Sequence, residues 1–285
     1  MPFQLHLKTG ALLEFPHTAV MGIINVSPNS FFNPHHSIEA ALKTAEHMVA
    51  AGVDILDIGG EATNPNINIA VDAPSLQEEL DRVLPVLTAI RRRFEVLISV
   101  DTSQPMLMCE AAKLGADMIN DQRALSAPGA LAVVAEYKLP VCLMHFFKNT
   151  RIPGSSTRAE LLHHIQCELR ERVVACEAAG IKKERIILDP GFGGGNYGKN
   201  ATENFYLLKE LSQFIDMGFP VLVGLSHKSM LGEAVGGAEP SQRLYATIAA
   251  DTLAAFAGVH ILRGHDVRAM KEAIAVVQRV QLSRC

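Results

Sequence analysis

Apolar runs of about five residues recur through this chain, each closing on polar residues, and between them lie longer stretches whose apolar positions return every three or four residues. The runs are AVMGIIN (19–25), DILDIGG (54–60), VLISVD (96–101), DMIND (117–121), PVCLMHF (140–146), IILDP (186–190), PVLVGLS (220–226) and HILRGHD (260–266). Four of the intervening stretches, 38–52, 75–94, 158–180 and 244–258, carry clear helical periodicity, and three of them close on a glycine of the kind that ends helices. Eight strand–helix units therefore follow in series, with strands apolar along their whole length, as strands covered on both faces are. Ahead of them, residues 3–15 alternate on both sides of Thr9-Gly10, which predicts a short hairpin. No linker or composition shift divides the chain. The expectation is one α/β domain over residues 1–285, a closed (β/α)8 TIM barrel with an N-terminal hairpin.

A doubly wound open sheet is the alternative fold, and the strand ends favour the barrel. Barrel active sites are assembled from the C-terminal ends of many strands. Here nearly every strand ends in a chemically useful residue: Asn25, Glu61, Asp101, Asn120, His145, Asp189, Lys228, and then Arg263 with His265. A carboxylate closing an apolar strand is costly unless it meets a partner or faces the barrel mouth, which marks Asp101 and Asp189 as site candidates. Helix N-capping is the other reading for such an aspartate. Lys228, Arg263 and His265 place positive charge on strands seven and eight, where barrel enzymes often bind phosphate. Structural ion pairs, Asp189 with Lys228 or Asp266 with Arg263, are the competing explanation.

Between Gly193 and Lys199 the chain reads both as G-x-G-x-x-G and as most of a P-loop, with Asn200 where the magnesium-binding Ser or Thr belongs. The glycines stand after Asp189 rather than directly after the strand, and the next strand has no acid, so a nucleotide is the weaker reading of this loop. His35-His36 and His163-His164 are adjacent pairs without the i, i+4 spacing of a helical metal site, and His145 is either a rim histidine or a ligand contact.

Composition changes this picture mainly by exclusion. The formal net charge is −4 and no basic block occurs, which argues against a nucleic-acid partner. No run reaches transmembrane length and the N-terminus has no signal-peptide pattern, so no membrane association is expected. Five cysteines without paired spacing read as reduced thiols, which predicts a cytoplasmic protein.

Taken together in order, MGIINVSPNSFF, DIGGEATNP, SVDTSQP, INDQRAL, CLMHF, LDPGFG, VGLSHKSMLG and LRGHDV, spanning residues 21–267, resemble the motifs of the dihydropteroate synthase family of pterin-binding barrels. The resemblance implies a transferase of folate biosynthesis that condenses 6-hydroxymethyl-7,8-dihydropterin diphosphate with para-aminobenzoate, uses Mg2+, forms homodimers and is a sulfonamide target. It implies that Asp101, Asn120 and Asp189 read the pterin edge, that Lys228 contacts the pterin and lines the aminobenzoate side with Pro65, Phe192 and Ser229, and that Arg263 lies against the pterin. Asn25, Thr63, Arg263 and His265 would hold the diphosphate, with Asn25 approaching the metal and Lys228, Arg263 and His265 serving catalysis. A pterin-binding paralogue without synthase activity, or a pterin-dependent methyltransferase, would share the barrel.

The chain departs from the family pattern at Asn29 and Asn33 in the first loop, Asn64 in the second and His227 before the lysine. The glycine loop is also longer, with Gly194 where the pattern has a second phenylalanine. The changes fall on loop closure and aminobenzoate handling rather than on the pterin set. An alanine-rich stretch, Leu244 to Gly258, offers a small-residue face for close packing.

Overall fold

The computed structural model describes residues 2–27, 37–61, 73–147 and 151–283. Strands β1 (Phe3–His6) and β2 (Leu12–Phe15) form the expected antiparallel hairpin. The next eight are all parallel: β3 Ala19–Asn25, β4 Ile55–Gly59, β5 Leu97–Asp101, β6 Met118–Asp121, β7 Val141–Met144, β8 Ile186–Asp189, β9 Leu222–Gly224 and β10 Ile261–Gly264. Their order, β8-β7-β6-β5-β4-β3-β10-β9, ends on two strands that a parallel bridge between Leu188 and Val221 joins. The Leu188 amide also donates to the Pro220 carbonyl at 2.9 Å. The sheet thus closes into a barrel, which an open doubly wound sheet with two free edges does not do.

Around it pack α1 (Ile38–Ala50), α2 (Leu76–Arg93), α3 (Pro105–Lys113), α4 (Ala130–Tyr137), α5 (Arg158–Ala178), α6 (Ala201–Lys209), α7 (Leu211–Ile215), α8 (Ser229–Ala234), α9 (Leu244–Ala257) and α10 (Val267–Leu282). Their ends follow from local chemistry. Ser75 with Glu78 and Thr157 with Glu160 form capping boxes at the starts of α2 and α5, and Gly258 ends α9 at a φ of +98° that a side chain resists.

The strands read as uniformly apolar, yet each sorts its residues by side. Leu56, Ile58, Ile98, Val100, Ile119 and Leu188 face the helices and join the large outer core. Met21, Ile55, Met118, Cys142, Ile187 and Ile261 face inward and form a second core with Phe3, Leu5 and Leu7 of the hairpin, which plugs the bottom of the barrel. Each plug side chain contributes about 1.5–3 kcal/mol by leaving water. The Lys8 ammonium ties the hairpin down by donating to the Ala112 and Ala116 carbonyls at 2.9 and 2.8 Å. Two residues beyond Ile55, Met118, Ile187 and Ile261, on the same inward side, come Asp57, Asn120, Asp189 and Arg263. The plug is the support on which a polar layer rests.

Asp251 of α9 is a buried acid outside that layer. Both its carboxyl oxygens lack a hydrogen-bond partner among the described residues, and burial, with Asp266 adding to it, pushes its pKa up to about 8. The folded state therefore holds a proton that the unfolded chain releases above about pH 4, so stability is full at low pH and declines as pH rises toward 8. Asp251→Asn is expected to raise Tm by several degrees at pH 8 and leave it almost unchanged at pH 4. Parallel melting curves across that range check the sign.

Candidate active site

The polar layer is organised by one guanidinium. Arg263 on β10 donates from Nε to Asp57 Oδ2 on β4 at 2.6 Å and from Nη2 to Asp101 Oδ2 at the end of β5 at 2.7 Å. Asn120 on β6 adds an amide hydrogen to the same Asp57 oxygen at 3.1 Å. Burial raises the pKa of Asp101, and Arg263 opposes it. Asp57 Oδ1 and Ser99 Oγ, both buried in this layer, carry no hydrogen-bond partner among the described residues. Gln122 closes over Asp101, with its amide nitrogen 3.0 Å from both carboxylate oxygens, and its carbonyl accepts from the Tyr197 hydroxyl at 3.1 Å.

Asp189 stands at the end of β8, where the turn that follows aims it. The Gly191 amide donates to Asp189 Oδ1 at 2.7 Å, and Gly191 sits at a φ of +72° with its α-carbon hard against the His145 carbonyl, a place no side chain fits. Burial raises the Asp189 pKa, with the Gly191 amide, Lys228 and Arg263 working against it. Lys228, the cap residue of α8, donates from Nζ to the Phe192 carbonyl and lies 4.8 Å from the centre of the Tyr197 ring. Burial pulls its ammonium down to about 8, which Asp189 resists.

The glycine loop is folded on itself rather than on a phosphate. The Gly193 amide goes to Asn204 Oδ1, and the Tyr197 and Gly198 amides go to the Gly194 and Gly195 carbonyls. Lys199, 1% exposed, donates to the Gly191 carbonyl at 2.6 Å, reaches the Tyr197 carbonyl at 3.4 Å, and lies 3.4 Å from His145 Nδ1. Asn200 caps α6 in a box with Glu203. The lysine a P-loop would offer and the Gly193, Tyr197 and Gly198 amides are engaged inside the protein, which weighs against the nucleotide reading.

At the neighbouring strand ends, His265 Nε2 meets the Asn25 amide at 3.3 Å and its Nδ1 meets Ser226 Oγ at 2.8 Å. His227 sets its ring edge-on to that of His265, with centroids 5.7 Å apart, but makes its ring hydrogen bonds outside this group. In a left-handed conformation, φ +56°, it sets Nε2 2.8 Å from Asp266 Oδ2 and Nδ1 2.7 Å from the Pro240 carbonyl. The departure from the family pattern at His227 therefore bears on the loop's own folding.

Of the residues singled out from sequence, Asp101, Asn120 and Arg263 meet in one cluster, Asp189 and Lys228 share the turn after β8, and Asn25 meets His265. Asp101 is not a helix cap, since α3 starts at Gln104 without a side-chain cap bond. Neither anticipated ion pair organises the site: Arg263 takes Asp57 and Asp101, and Asp266 takes His227. Glu61 pairs with Arg123 through both oxygens. Phe192 is corrected in one respect. Its ring, 1% exposed, packs in the helix-facing core, and it is its carbonyl that meets Lys228. Ser229 opens α8 beside Lys228. Thr63 and Pro65, with Asn29, Asn33 and Asn64, lie outside the described residues.

Sequence reasoning missed Asp57, Ser99, Gln122, Tyr197 and Lys199. A signal existed for Asp57: a lone acid within an apolar strand, two residues inward of Ile55, must face something polar. Nothing comparable marks Gln122 or Tyr197. The cluster as a whole presents acceptors along a floor, with cations at its rim. That suits a flat group with adjacent N–H donors carrying an anionic tail.

The family model described as "Pterin binding enzyme" matches residues 21–265. Over 272 residues the chain is 45% identical to dihydropteroate synthase of Escherichia coli, covering 94% of each. A dihydropteroate synthase of Coxiella burnetii, solved in complex with pteroic acid, superposes with a TM-score of 0.93 at 54% identity, covering 98% of both chains. The synthase of Xanthomonas albilineans, solved with 4-aminobenzoic acid, gives 0.87 at 40% identity, with 99% of both covered.

Proposed function

The chain belongs to the pterin-binding enzyme family, and from that premise we propose how its barrel floor performs the reaction of a dihydropteroate synthase. In that reaction 6-hydroxymethyl-7,8-dihydropterin diphosphate and para-aminobenzoate give dihydropteroate and diphosphate. The observation that carries the reading is the inward layer of Asp57, Asp101, Asn120 and Asp189 braced by Arg263. The amino-pyrimidinone edge of a pterin offers an exocyclic NH2 and a ring N–H, and carboxylates accept such donors strongly. Asp189 takes two of them, Asn120 and Asp101 read the remainder of the edge, and the Arg263 plane lies against the ring. Lys228 reaches the pterin carbonyl and, with Ser229, borders the aminobenzoate. We place residues 1–285 in a single barrel domain of this kind.

Chemistry then requires no protein nucleophile. Diphosphate departs, the pterin ring delocalises the cationic methylene left behind, and the aniline nitrogen attacks it. His265, oriented by Ser226, and Arg263 stabilise the charge gathering on the departing diphosphate, while Lys228 and the loop beside it hold the amine in line. Asn25 suits a magnesium site: its amide nitrogen faces His265, so its oxygen points elsewhere, and magnesium takes one or two protein oxygens together with substrate phosphates. When bound, Mg2+ would neutralise diphosphate charge.

The test is to combine the purified protein with Mg2+, the pterin diphosphate and para-aminobenzoate, and to measure diphosphate and dihydropteroate. Both should form, and chelating the Mg2+ should reduce turnover reversibly. Pterin diphosphate binding without either product would leave a pterin-binding paralogue instead. Tyr197→Phe removes the hydroxyl that steadies Gln122 over Asp101, and is expected to raise KM for the pterin substrate about three- to tenfold, the worth of one hydrogen bond. Steady-state kinetics decide it.

Sulfonamides should compete with aminobenzoate at Lys228 and Ser229. The assembly we propose is a homodimer, supported by exposed Tyr245, Leu253 and Phe256 on α9 beside Val276 and Val280 on α10, an apolar surface of the kind partners cover. Light scattering tests it. No described helix is long and apolar enough to cross a membrane, and Cys109, Cys142, Cys167 and Cys176 are free thiols, which supports the cytoplasm as the compartment.

A further inference from the structure

We propose that His145, His164 and Glu168 form a binding site for a divalent transition-metal ion of zinc type, outside the substrate pocket. His145 follows β7, while His164 and Glu168 stand four apart on one face of α5. Their ligand atoms all lie within 4.8 Å of one another, with His145 Nε2 3.0 Å from Glu168 Oε2 and His164 Nε2 3.0 Å from Glu168 Oε1. Ligands about 2.0–2.2 Å from zinc stand roughly 3.3 Å apart in a tetrahedron, and each imidazole nitrogen already stands near that distance from one oxygen of the shared carboxylate.

An ordinary hydrogen-bonded cluster is the rival, and two observations weigh against it. His145 Nε2 is fully buried, and its polar neighbour among the described residues is Glu168 Oε2 at 3.0 Å, a contact that falls short of a well-directed hydrogen bond. Both imidazoles are also held by one ring: Phe147 meets His145 edge-on at 4.4 Å and stacks on His164 at 5.3 Å and 11°. Two fixed imidazoles and a carboxylate are a zinc-type donor set with the fourth position open, whereas magnesium and calcium prefer all-oxygen sites.

Lys199 faces the other nitrogen and accommodates both states. As an ammonium it donates to the Gly191 and Tyr197 carbonyls and to His145 Nδ1; as an amine it keeps both carbonyls and accepts from an Nδ1–H. Metal binding thus places His145 Nε2 on the ion, moves the ring proton to Nδ1 and sends one proton to solvent. Because Lys199 also holds the Gly191 turn that aims Asp189, a bound ion would stiffen the floor from outside.

The experiment is a Co2+ titration followed by visible absorption, in excess Mg2+, with Zn2+ added afterwards to displace the cobalt. Saturable d–d bands that Zn2+ abolishes are expected from the unaltered protein. His164→Ala and Glu168→Gln should each weaken binding by more than about a hundredfold, beyond what losing an outer partner costs, while leaving synthase turnover in Mg2+ unchanged. No bands, or an affinity in both variants equal to that of the unaltered protein, as would follow from binding at the exposed His163 and Cys167 pair, overturns the site. Cobalt bands without synthase activity would count against the function and not against the metal.

Discussion

Arg263→Lys is expected to lower kcat/KM by about a hundred- to a thousandfold or more. The guanidinium reaches Asp57 through Nε and Asp101 through Nη2, two nitrogens in a rigid plane spanning two strands. An ammonium is a point charge and can satisfy one of them at best. Leaving a buried carboxylate unpaired costs about 3–5 kcal/mol, which is where that factor comes from. Burial already pushes Asp101 toward its protonated form, so the abandoned acid regains a proton and turns from acceptor to donor against the pterin. The residual activity should therefore shift toward alkaline pH, where the acid ionises again. Activity within tenfold of the unaltered protein, with no shift in the pH profile, would remove Arg263 from the centre of the site.

Asp189→Asn comes next in size, and it acts on binding. A carboxylate accepts from two pterin donors and still takes the Gly191 amide; a carboxamide keeps one acceptor and points an NH2 at a group that is itself a donor. Two mismatched contacts in a buried pocket cost about 3–4 kcal/mol, or roughly a hundred- to a thousandfold in Kd for the pterin diphosphate. The turn survives, because the amide oxygen can still accept from Gly191, so Tm should stay near that of the unaltered protein. Calorimetry with the substrate and a melting curve separate the two effects, and near-normal affinity would refute the assignment of Asp189.

How much of this was legible beforehand depended on the range of each interaction. The eight strands were readable because burial on both faces leaves an unbroken apolar run, and the observed spans fall inside the expected ones, as with Ile55–Gly59 inside 54–60. Helix ends at Gly52, Gly180 and Gly258 were readable because a glycine that stops a helix acts within one turn of its own position. Asp57 was hidden by its surroundings: in ILDIG the acid resembles an interruption, and only closure of the barrel shows that β4 and β10 bring it to a guanidinium 206 residues later. Phe192 failed for the opposite reason. Its place in the motif suggested a pocket wall, but the turn at Gly191 sends its ring outward and leaves the carbonyl behind. The His145 cluster required a strand end and a helix face to meet, and adjacent histidines in the sequence carried no trace of that.

The floor of the pocket is an inner layer of the barrel itself, seated on the hairpin plug. Its shape cannot be adjusted one side chain at a time, because moving Asp57 or Asn120 means moving strands that every neighbour holds in register. The departures from the family pattern among the described residues, His227 and the glycine loop, follow β9 and β8, on connections that carry no share of the closure. An inhibitor leaning on those connections meets a surface that mutation can reshape cheaply. One that engages only the acceptors of the floor confronts the protein with a choice between resistance and its own substrate.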